Sequence, residues 1–131
     1  MFLWYMQKWD LPTASFEIHE NSLIVMTIKH DVVLDVEDVI HNREAVLKLT
    51  GTKMMVMLIK ADGQVNITKE AREESAKPQY LEYLNAMAIV SDLLAYKIIG
   101  NFFIKFNKPA KPTRFFNNYN KAIEWLQTEM T

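Results

Sequence analysis

Apolar and polar residues in the first third of the chain alternate in the way that is typical of β-strands. Phe16 to His19 places apolar side chains at every second position, whereas Leu23 to Ile28 is apolar almost throughout. The polar residues 20–22 between them have the length of a hairpin turn. We therefore predict a hairpin whose second strand lies inside the sheet, because a strand covered on both faces needs no polar side.

The middle of the chain combines a helix pattern with the clearest strand pattern. Asp35 precedes two acidic residues in the first predicted turn, where the helix dipole favours negative charge, and Gly51 supplies the helix end. Six consecutive apolar residues then lie between Lys53 and Lys60. Such a run is typical of a central strand that is buried on both faces.

Further on, residues that typically start or end helices separate the predicted elements. Thr68 is a good N-cap for a helix that starts at Lys69. Pro78 is expected to break that helix, and we predict a fresh helical stretch after it through Leu84. Near the C-terminus, Thr113 to Phe116 has the composition of a short strand, and Asn118 is placed to cap a final helix.

Between these elements lies the stretch that dominates the second half. The apolar run Ala86–Val90 predicts a buried strand, Ser91 and Asp92 are suited to cap a helix, and Pro109 closes an apolar helix over 94–106. A strand that leads directly into a helix is half of a βαβ unit. The predicted order is ββαβαβαβα, a single α/β domain with a mainly parallel or mixed sheet and helices.

Length and composition indicate one domain and restrict the chemistry. The chain has 131 residues, half of them hydrophobic, and no cysteine, which fits a reducing cytoplasm and excludes thiol chemistry. We expect an apolar arm over 1–14, where Pro12 disfavours helix, and an α/β domain over 15–131. The apolar run at the N-terminus has six residues, too few for the roughly 20 of a membrane span. We therefore expect a cytoplasmic protein without a membrane span.

The distribution of charge is uneven although the net charge is −1. No acidic residue lies between Leu93 and Ile123, a segment with six basic residues: Lys97, Lys105, Lys108, Lys111, Arg114 and Lys121. The pI near 6.3 argues against a nucleic-acid partner, since such domains commonly exceed about 9. A basic surface that attracts an acidic protein or an anionic head group remains open.

Residues that would indicate an enzyme are absent from the sequence. His19, His30 and His41 are eleven residues apart and match no metal-binding spacing, and three glycines provide no phosphate-binding loop. Ser91 next to Asp92 is better explained as a helix cap than as a catalytic pair. We predict a non-enzymatic protein without catalytic, metal or cofactor-binding residues.

Six segments carry a resemblance to known proteins: Ala88–Val90, Asn101–Phe103, Asn107–Pro109, Phe115–Phe116, Ala122–Leu126 and Thr68–Arg72. They resemble small uncharacterised bacterial proteins of the SpoIIAA-like, STAS-type superfamily, and Thr68–Arg72 resembles the helix after the central strand of that superfamily. The resemblance covers roughly residues 15–127. It implies a mainly parallel sheet with helices, related to anti-sigma-factor antagonists and to CRAL-TRIO lipid-carrier domains, and it implies no established activity.

One departure from this superfamily concerns phosphorylation. The antagonists present a phosphorylatable serine at the helix start after the central strand, where this chain has Asn66, Ile67 and Thr68. Thr68 is the nearest hydroxyl, and a helix cap explains it without further assumption. A weaker alternative is a phosphosite, since a phosphate there would lie at a helix N-terminus near Lys69 and Arg72.

The apolar helix over 94–106 carries more large side chains than one sheet face can cover. Three interpretations stay open: burial by the domain itself, a homodimer or partner surface, and an apolar ligand pocket. The candidate interaction or ligand surface comprises Leu94, Ile98, Asn101, Phe102, Phe103, Lys105, Phe106, Lys108 and Lys111.

We predict a regulatory or protein-interaction module that resembles anti-sigma-factor antagonists but lacks their phosphoserine motif. It would form a homodimer, and its lysines would steer an acidic protein partner. The alternative is a carrier or sensor of a small apolar or anionic lipid-like ligand, with the ligand tail among Ile98, Phe102 and Phe106. A carrier requires a cavity of roughly 300 Å³ or more beside this helix.

Overall fold

A mixed six-stranded sheet forms the centre of the molecule. The computed structural model describes residues 7–19 and 21–130. In spatial order the sheet contains β1 (Gln7–Asp10), β2 (Ala14–Ile18), β3 (Leu23–Ile28), β5 (Met55–Ala61), β7 (Leu84–Val90) and β8 (Thr113–Phe116). The first three strands pair antiparallel, and β3, β5, β7 and β8 pair parallel. Two short strands, β4 (Val33–Leu34) and β6 (Asn66–Ile67), form a separate parallel ladder.

The described residues contain five α-helices, of which the last follows the final strand. They are α1 (Val36–Thr50), α2 (Lys69–Ser75), α3 (Pro78–Leu81), α4 (Leu94–Phe102) and α5 (Tyr119–Thr128). The helix predicted over 94–106 is α4 with a π-helical continuation, Phe103–Asn107, which ends where Lys108 adopts a positive φ of 49°. The predicted α/β class with a mixed sheet is confirmed, and the short elements β1, β4 and β6 add to the predicted order. The helical stretch predicted after Pro78 is α3, but it ends at Leu81, and Leu84 already belongs to β7.

Most of the predicted helix caps are present. Asp35 and Asp38 form a capping box, Thr68 Oγ1 accepts from Ala71 N at 3.0 Å, and Asn118 Oδ1 accepts from Lys121 N at 3.0 Å. The cap predicted for α4 is wrong. Leu93 is the N-cap, and its apolar side chain can accept no hydrogen bond. Ser91 Oγ accepts from Leu93 N at 3.1 Å, in the turn before the helix rather than within it.

The two faces of the sheet bury different sets of side chains. On one face, Phe16, Ile24, Met55 and Met87 pack with residues of α1, α3 and the π-helical segment: Val46, Leu81 and Phe103. On the other face, Leu23, Val25, Val56, Leu58, Ala86 and Ala88 pack against Ala122 and Leu126 of α5. The alternation in the strands therefore separates a face covered by several helices from a face covered by α5.

Residues 7–10, expected in the N-terminal arm, form the edge strand β1. Trp9 pairs with Phe16 and Lys8 with Glu17, although all four side chains of β1 are exposed. Backbone pairing with β2, which a side-chain pattern does not reveal, holds this segment in the sheet. The apolar residues Met1–Met6 of the predicted arm lie outside the described residues, and the boundary after residue 14 stays a prediction.

Gly100 allows α4 to approach β8 closely. A Cβ atom at this position would lie 2.7 Å from Cδ2 of Phe115. We expect Gly100→Ala to lower the free energy of unfolding by about 1–3 kcal/mol through overpacking, although alanine is the better helix former by about 1 kcal/mol. Urea denaturation measures the change. Ala95→Gly, on the exposed side of the same helix, should cost only the difference in helix propensity, and a Gly100→Ala protein more stable than wild type would contradict the contact.

Candidate ligand-binding site

A cavity of about 320 Å³ lies between the sheet and the helices α1 to α4. We call it the central cavity. Its sheet side includes Ile24, Met26, Met57, Ile59, Met87 and Ile89, and its helix side includes Val46, Leu47, Arg72, Leu81, Tyr96, Ile99 and Phe103. Ligand pockets in proteins span about 300–1,000 Å³, so the volume suits a small molecule.

Side-chain size helps to explain why the helices leave this space open. Ser75, Ser91 and Gly100 contribute small or absent side chains to the lining. Met26, Met57 and Met87 add unbranched, flexible side chains that adapt to irregular space rather than filling it in one fixed shape. The cavity therefore has an adaptable apolar wall on the sheet side.

Asn42 brings a polar group into this apolar lining. The residue is 5% exposed, and its Nδ2 donates a long hydrogen bond of 3.4 Å to Thr13 Oγ1. Its buried Oδ1 atom has no hydrogen-bond partner within residues 7–19 and 21–130. A buried acceptor without a partner costs free energy, so Asn42 presents an acceptor that a hydroxyl or amide of a ligand would satisfy.

Two arginines also line the central cavity. Arg43 donates from Nη2 to Gln79 O at 2.7 Å, and Arg72 donates from Nη1 to Ile67 O at 2.7 Å. The buried Nε atoms of both residues have no acceptor, and neither guanidinium forms an ion pair with a carboxylate, in the part of the chain that the structure describes. The lining thus offers two permanent positive charges and unused donors.

Tyr96 links α4 to the loop that follows β5. Its hydroxyl donates to Gly63 O at 2.8 Å and accepts from Val65 N at 2.7 Å. Because Tyr96 and Val65 both line the central cavity, these two bonds fix one edge of its wall.

Tyr80 and Glu74 form a small polar unit beside the cavity. The pKa of Glu74 is lowered from its ordinary value of 4.5, first by the hydrogen bond from Lys77 Nζ at 2.8 Å and then by the Tyr80 hydroxyl. The same interaction with Glu74, followed by burial, raises the pKa of Tyr80, which lines the cavity and keeps its proton near neutral pH.

This coupling predicts a pH dependence of stability. Since folding lowers the pKa of Glu74, the ionised carboxylate stabilises the folded protein above about pH 4.5. This stabilisation is lost as the pH falls through the pKa that Glu74 has in the folded state. We expect Glu74→Gln to make the loss of stability below pH 4.5 shallower, as measured by urea denaturation at each pH. Glu70→Gln, an exposed glutamate of the same helix, controls for the loss of one charge. Equal slopes for wild type and Glu74→Gln would contradict the coupling.

The nine residues of the predicted interaction or ligand surface occupy three different places. Leu94, Ile98, Phe102 and Phe106 form an outward-facing row, 71%, 62%, 46% and 59% exposed, that we call the α4 stripe. Asn101, Lys105 and Lys108 are exposed nearby, Phe103 is buried and lines the central cavity, and Lys111 donates from Nζ to Leu84 O at 2.7 Å. The positions predicted for a ligand tail thus lie on the outward side of α4, whereas the cavity is on its inward side.

Thr68, the weak candidate phosphosite, is engaged in local structure. Besides capping α2, its hydroxyl donates to Asp35 Oδ1 at 2.9 Å and so joins the starts of α1 and α2. Its phosphorylation stays a prediction.

Sequence reasoning missed Asn42 and Arg43 and named Arg72 only as a partner for a phosphate. A signal was available, because Val39, Asn42 and Val46 share one face of α1 at helical spacing. A polar residue on a row of buried apolar positions often needs a specific partner.

The histidines lie in separate local contacts. His19 Nε2 is 3.4 Å from Glu17 Oε1, and His30 Nδ1 is 3.6 Å from Asp62 Oδ2. Over the described ranges no group of three histidine, aspartate or glutamate side chains could hold a metal ion. Over the same ranges no helix is long and apolar enough to cross a membrane.

Comparisons with known proteins identify a family and a fold. A family model of a domain of unknown function, DUF7793, matches residues 16–130. Curated proteins give no match. A crystal structure of an uncharacterised DUF3478-family protein from Shewanella loihica PV-4 is 15% identical, with 92% of this chain and 91% of that chain covered and a TM-score of 0.54. That protein has a SpoIIAA-like fold, so the predicted fold is confirmed.

A second solved structure, a protein of unknown function from Arthrobacter sp. FB24, is 17% identical. The match covers 86% of this chain and 97% of that chain, with a TM-score of 0.31. This likeness is too weak to bear on the fold.

Proposed function

The chain belongs to the DUF7793 family of unknown function, and from the central cavity we propose that it binds a small apolar molecule with an anionic head group. It would act as a carrier or sensor of such a ligand. One observation carries the proposal: an apolar cavity is lined by Arg43 and Arg72, which have no carboxylate partner within the described ranges. The role requires no catalytic residue.

The volume of the central cavity restricts the size of the ligand. An apolar cavity of about 150 Å³ accommodates a benzene ring, so 320 Å³ suits a chain or ring system of roughly twice that size. Each methylene that becomes buried contributes about 0.8 kcal/mol, which corresponds to roughly fourfold in affinity. Affinity should therefore rise with chain length until the cavity is full.

The arginines favour a carboxylate or a similar anion as the head group. A guanidinium presents donors in a planar fork that matches two carboxylate oxygens, and such bonds strengthen in apolar surroundings. The buried Oδ1 atom of Asn42 accepts no hydrogen bond within the described residues, so a ligand that also carries a hydrogen-bond donor is favoured.

Calorimetric titration with saturated carboxylates of 6 to 12 carbons, beside the 1-alkanols of equal length, tests the proposal. We expect saturable binding with one site, affinity that rises about fourfold per methylene and then levels off, and tighter binding of the carboxylate than of the alcohol. Absence of saturable binding, or affinity that rises with length without limit, would overturn it, since the latter is the behaviour of an open surface.

A pair of tryptophan variants locates the binding site. Met57→Trp extends a cavity-lining side chain and should abolish binding, whereas Met54→Trp, 40% exposed just before β5, should leave it unchanged. Circular dichroism and thermal melting establish that both variants fold. If the folded Met57→Trp protein bound decanoate as wild type does, the site would lie elsewhere.

A second candidate function is the regulatory or protein-interaction module that the sequence predicts. The exposed apolar side chains of the α4 stripe favour it, because large exposed apolar patches often mark contacts. Sedimentation velocity over a wide concentration range tests the predicted homodimer. Association lost on Phe102→Asp would support the module, and a monomer at every concentration would contradict the homodimer.

A further inference from the structure

The α4 stripe is a continuous apolar row on an exposed helix. Its members are four residues apart, which is slightly more than one turn of an α-helix, so each member is rotated a little further around the helix axis than the one before. The π-helical segment Phe103–Asn107 has more residues per turn, which reduces this rotation at the C-terminal end of the row. The ring centroids of Phe102 and Phe106 lie 4.5 Å apart there. The result is one outward-facing row of apolar side chains flanked by Leu93 and Ile99, which are 53% and 40% exposed.

Positive charge surrounds this row. Lys97, Lys105 and Lys108 are exposed on the same segment, and none of them forms an ion pair with a carboxylate within residues 7–19 and 21–130. Between Leu93 and Ile123 there are six basic residues and no acidic one, so all 16 acidic residues lie elsewhere in the chain. The segment that carries the α4 stripe is therefore apolar on its outward side and bears only positive charges.

We propose that this face docks onto the surface of an anionic lipid bilayer. Apolar side chains on one side of a surface helix insert into the boundary between head groups and acyl chains, while lysines bind the anionic head groups. Phenylalanine side chains such as Phe102 and Phe106 add apolar area for insertion. The helix lies along the bilayer surface and does not cross it.

Charge distinguishes the bilayer from a second copy of the chain. A two-fold homodimer through the α4 stripe would place the lysines around one stripe next to those around the other, and like charges oppose such a contact. An anionic bilayer neutralises the same lysines. Ile99 borders both the docking face and the central cavity, and the guanidinium of Arg72 lies over the Phe102 ring at 5.8 Å. Docking is nevertheless tested apart from the binding proposed for the cavity, because the substituted residues Leu94, Ile98, Lys97 and Lys105 do not line the cavity.

Sedimentation with sucrose-loaded vesicles tests the inference. We expect the full chain to bind vesicles of phosphatidylcholine with about 30% phosphatidylglycerol, to bind pure phosphatidylcholine vesicles much more weakly, and to lose affinity as salt is raised. Leu94→Ser with Ile98→Ser should reduce binding at least about tenfold, since each change removes most of an inserted side chain. Val33→Ser with Ile40→Ser removes two exposed apolar side chains outside the stripe and serves as the matched control.

A second pair of variants tests the charge. Lys97→Gln with Lys105→Gln should weaken binding to the anionic vesicles about 25-fold, at roughly fivefold per lysine, whereas Lys48→Gln with Lys53→Gln should change it little. Circular dichroism establishes folding of every variant. Failure of wild type to bind anionic vesicles, or binding that survives Leu94→Ser with Ile98→Ser, would overturn the inference. So would a concentration-dependent dimer that the same two substitutions dissociate, because the face would then belong to a second copy.

Discussion

Replacing Leu126 by alanine is expected to lower the free energy of unfolding by about 3–5 kcal/mol. Leu126 is fully buried against the sheet face that contains Val56 and Leu58. Within the described residues, α5 is the helix that supplies the buried side chains packed on this face of the sheet. The surroundings of a deleted core side chain relax only partially, so the space left by the missing atoms would close only in part, and the cost of a cavity adds to the lost transfer free energy.

Leu94→Ala provides the matched control for this prediction. Leu94 is also a helical leucine, but it is 71% exposed, so the same substitution should change stability by less than about 0.5 kcal/mol. Equilibrium unfolding in urea measures both changes. If the two variants lost equal stability, α5 would not be anchored to the sheet in the way described.

Local chemistry explains why much of the fold could be predicted. Asp35, Thr68 and Asn118 cap helices within three residues of themselves, so the signal and the structure lie in the same short stretch. The apolar run between Lys53 and Lys60 identifies β5 because burial on both faces leaves no room for a polar alternation. These features depend little on what the rest of the chain does.

Other elements depend on partners that are distant in sequence. All four side chains of β1 are exposed, so its place in the sheet comes from backbone pairing with β2. Within residues 7–19 and 21–130, the two-residue strands Val33–Leu34 and Asn66–Ile67 pair only with each other, and they are too short to show a period. Pattern reasoning has no signal for either case.

The candidate site shows the same limit more sharply. The helix over 94–106 is apolar on nearly all sides, so its periodicity could not distinguish the inward residue Phe103 from the outward residue Phe102. A cavity is the space that packed elements fail to fill, and it depends on how far α1 and α4 stand from the sheet. That Arg43 and Arg72 line the same cavity became visible only after folding brought α1 and α2 together.

Removing both cavity-lining arginines should give the largest effect on ligand binding. We expect Arg43→Met with Arg72→Met to weaken binding of decanoate by about 100-fold or more, because a hydrogen bond to a charged group contributes about 1.5–3 kcal/mol. Binding of 1-decanol should remain within about threefold of wild type, since methionine keeps the apolar stem of each side chain. Calorimetry with both probes measures the two affinities.

The comparison of two ligands separates recognition of charge from loss of structure. Each arginine also donates to a backbone carbonyl, Arg43 to Gln79 and Arg72 to Ile67, so the double variant should melt at a lower temperature. A general loosening would weaken both ligands alike, whereas loss of a head-group site weakens the carboxylate alone. Arg114→Met, whose guanidinium lies over Trp125 at 5.5 Å among the side chains of the α5 face, is the matched control and should bind both as wild type does. An unchanged preference for decanoate over decanol in the double variant would show that the arginines do not recognise the anion, and the head-group part of the proposal would be wrong while the apolar cavity remained.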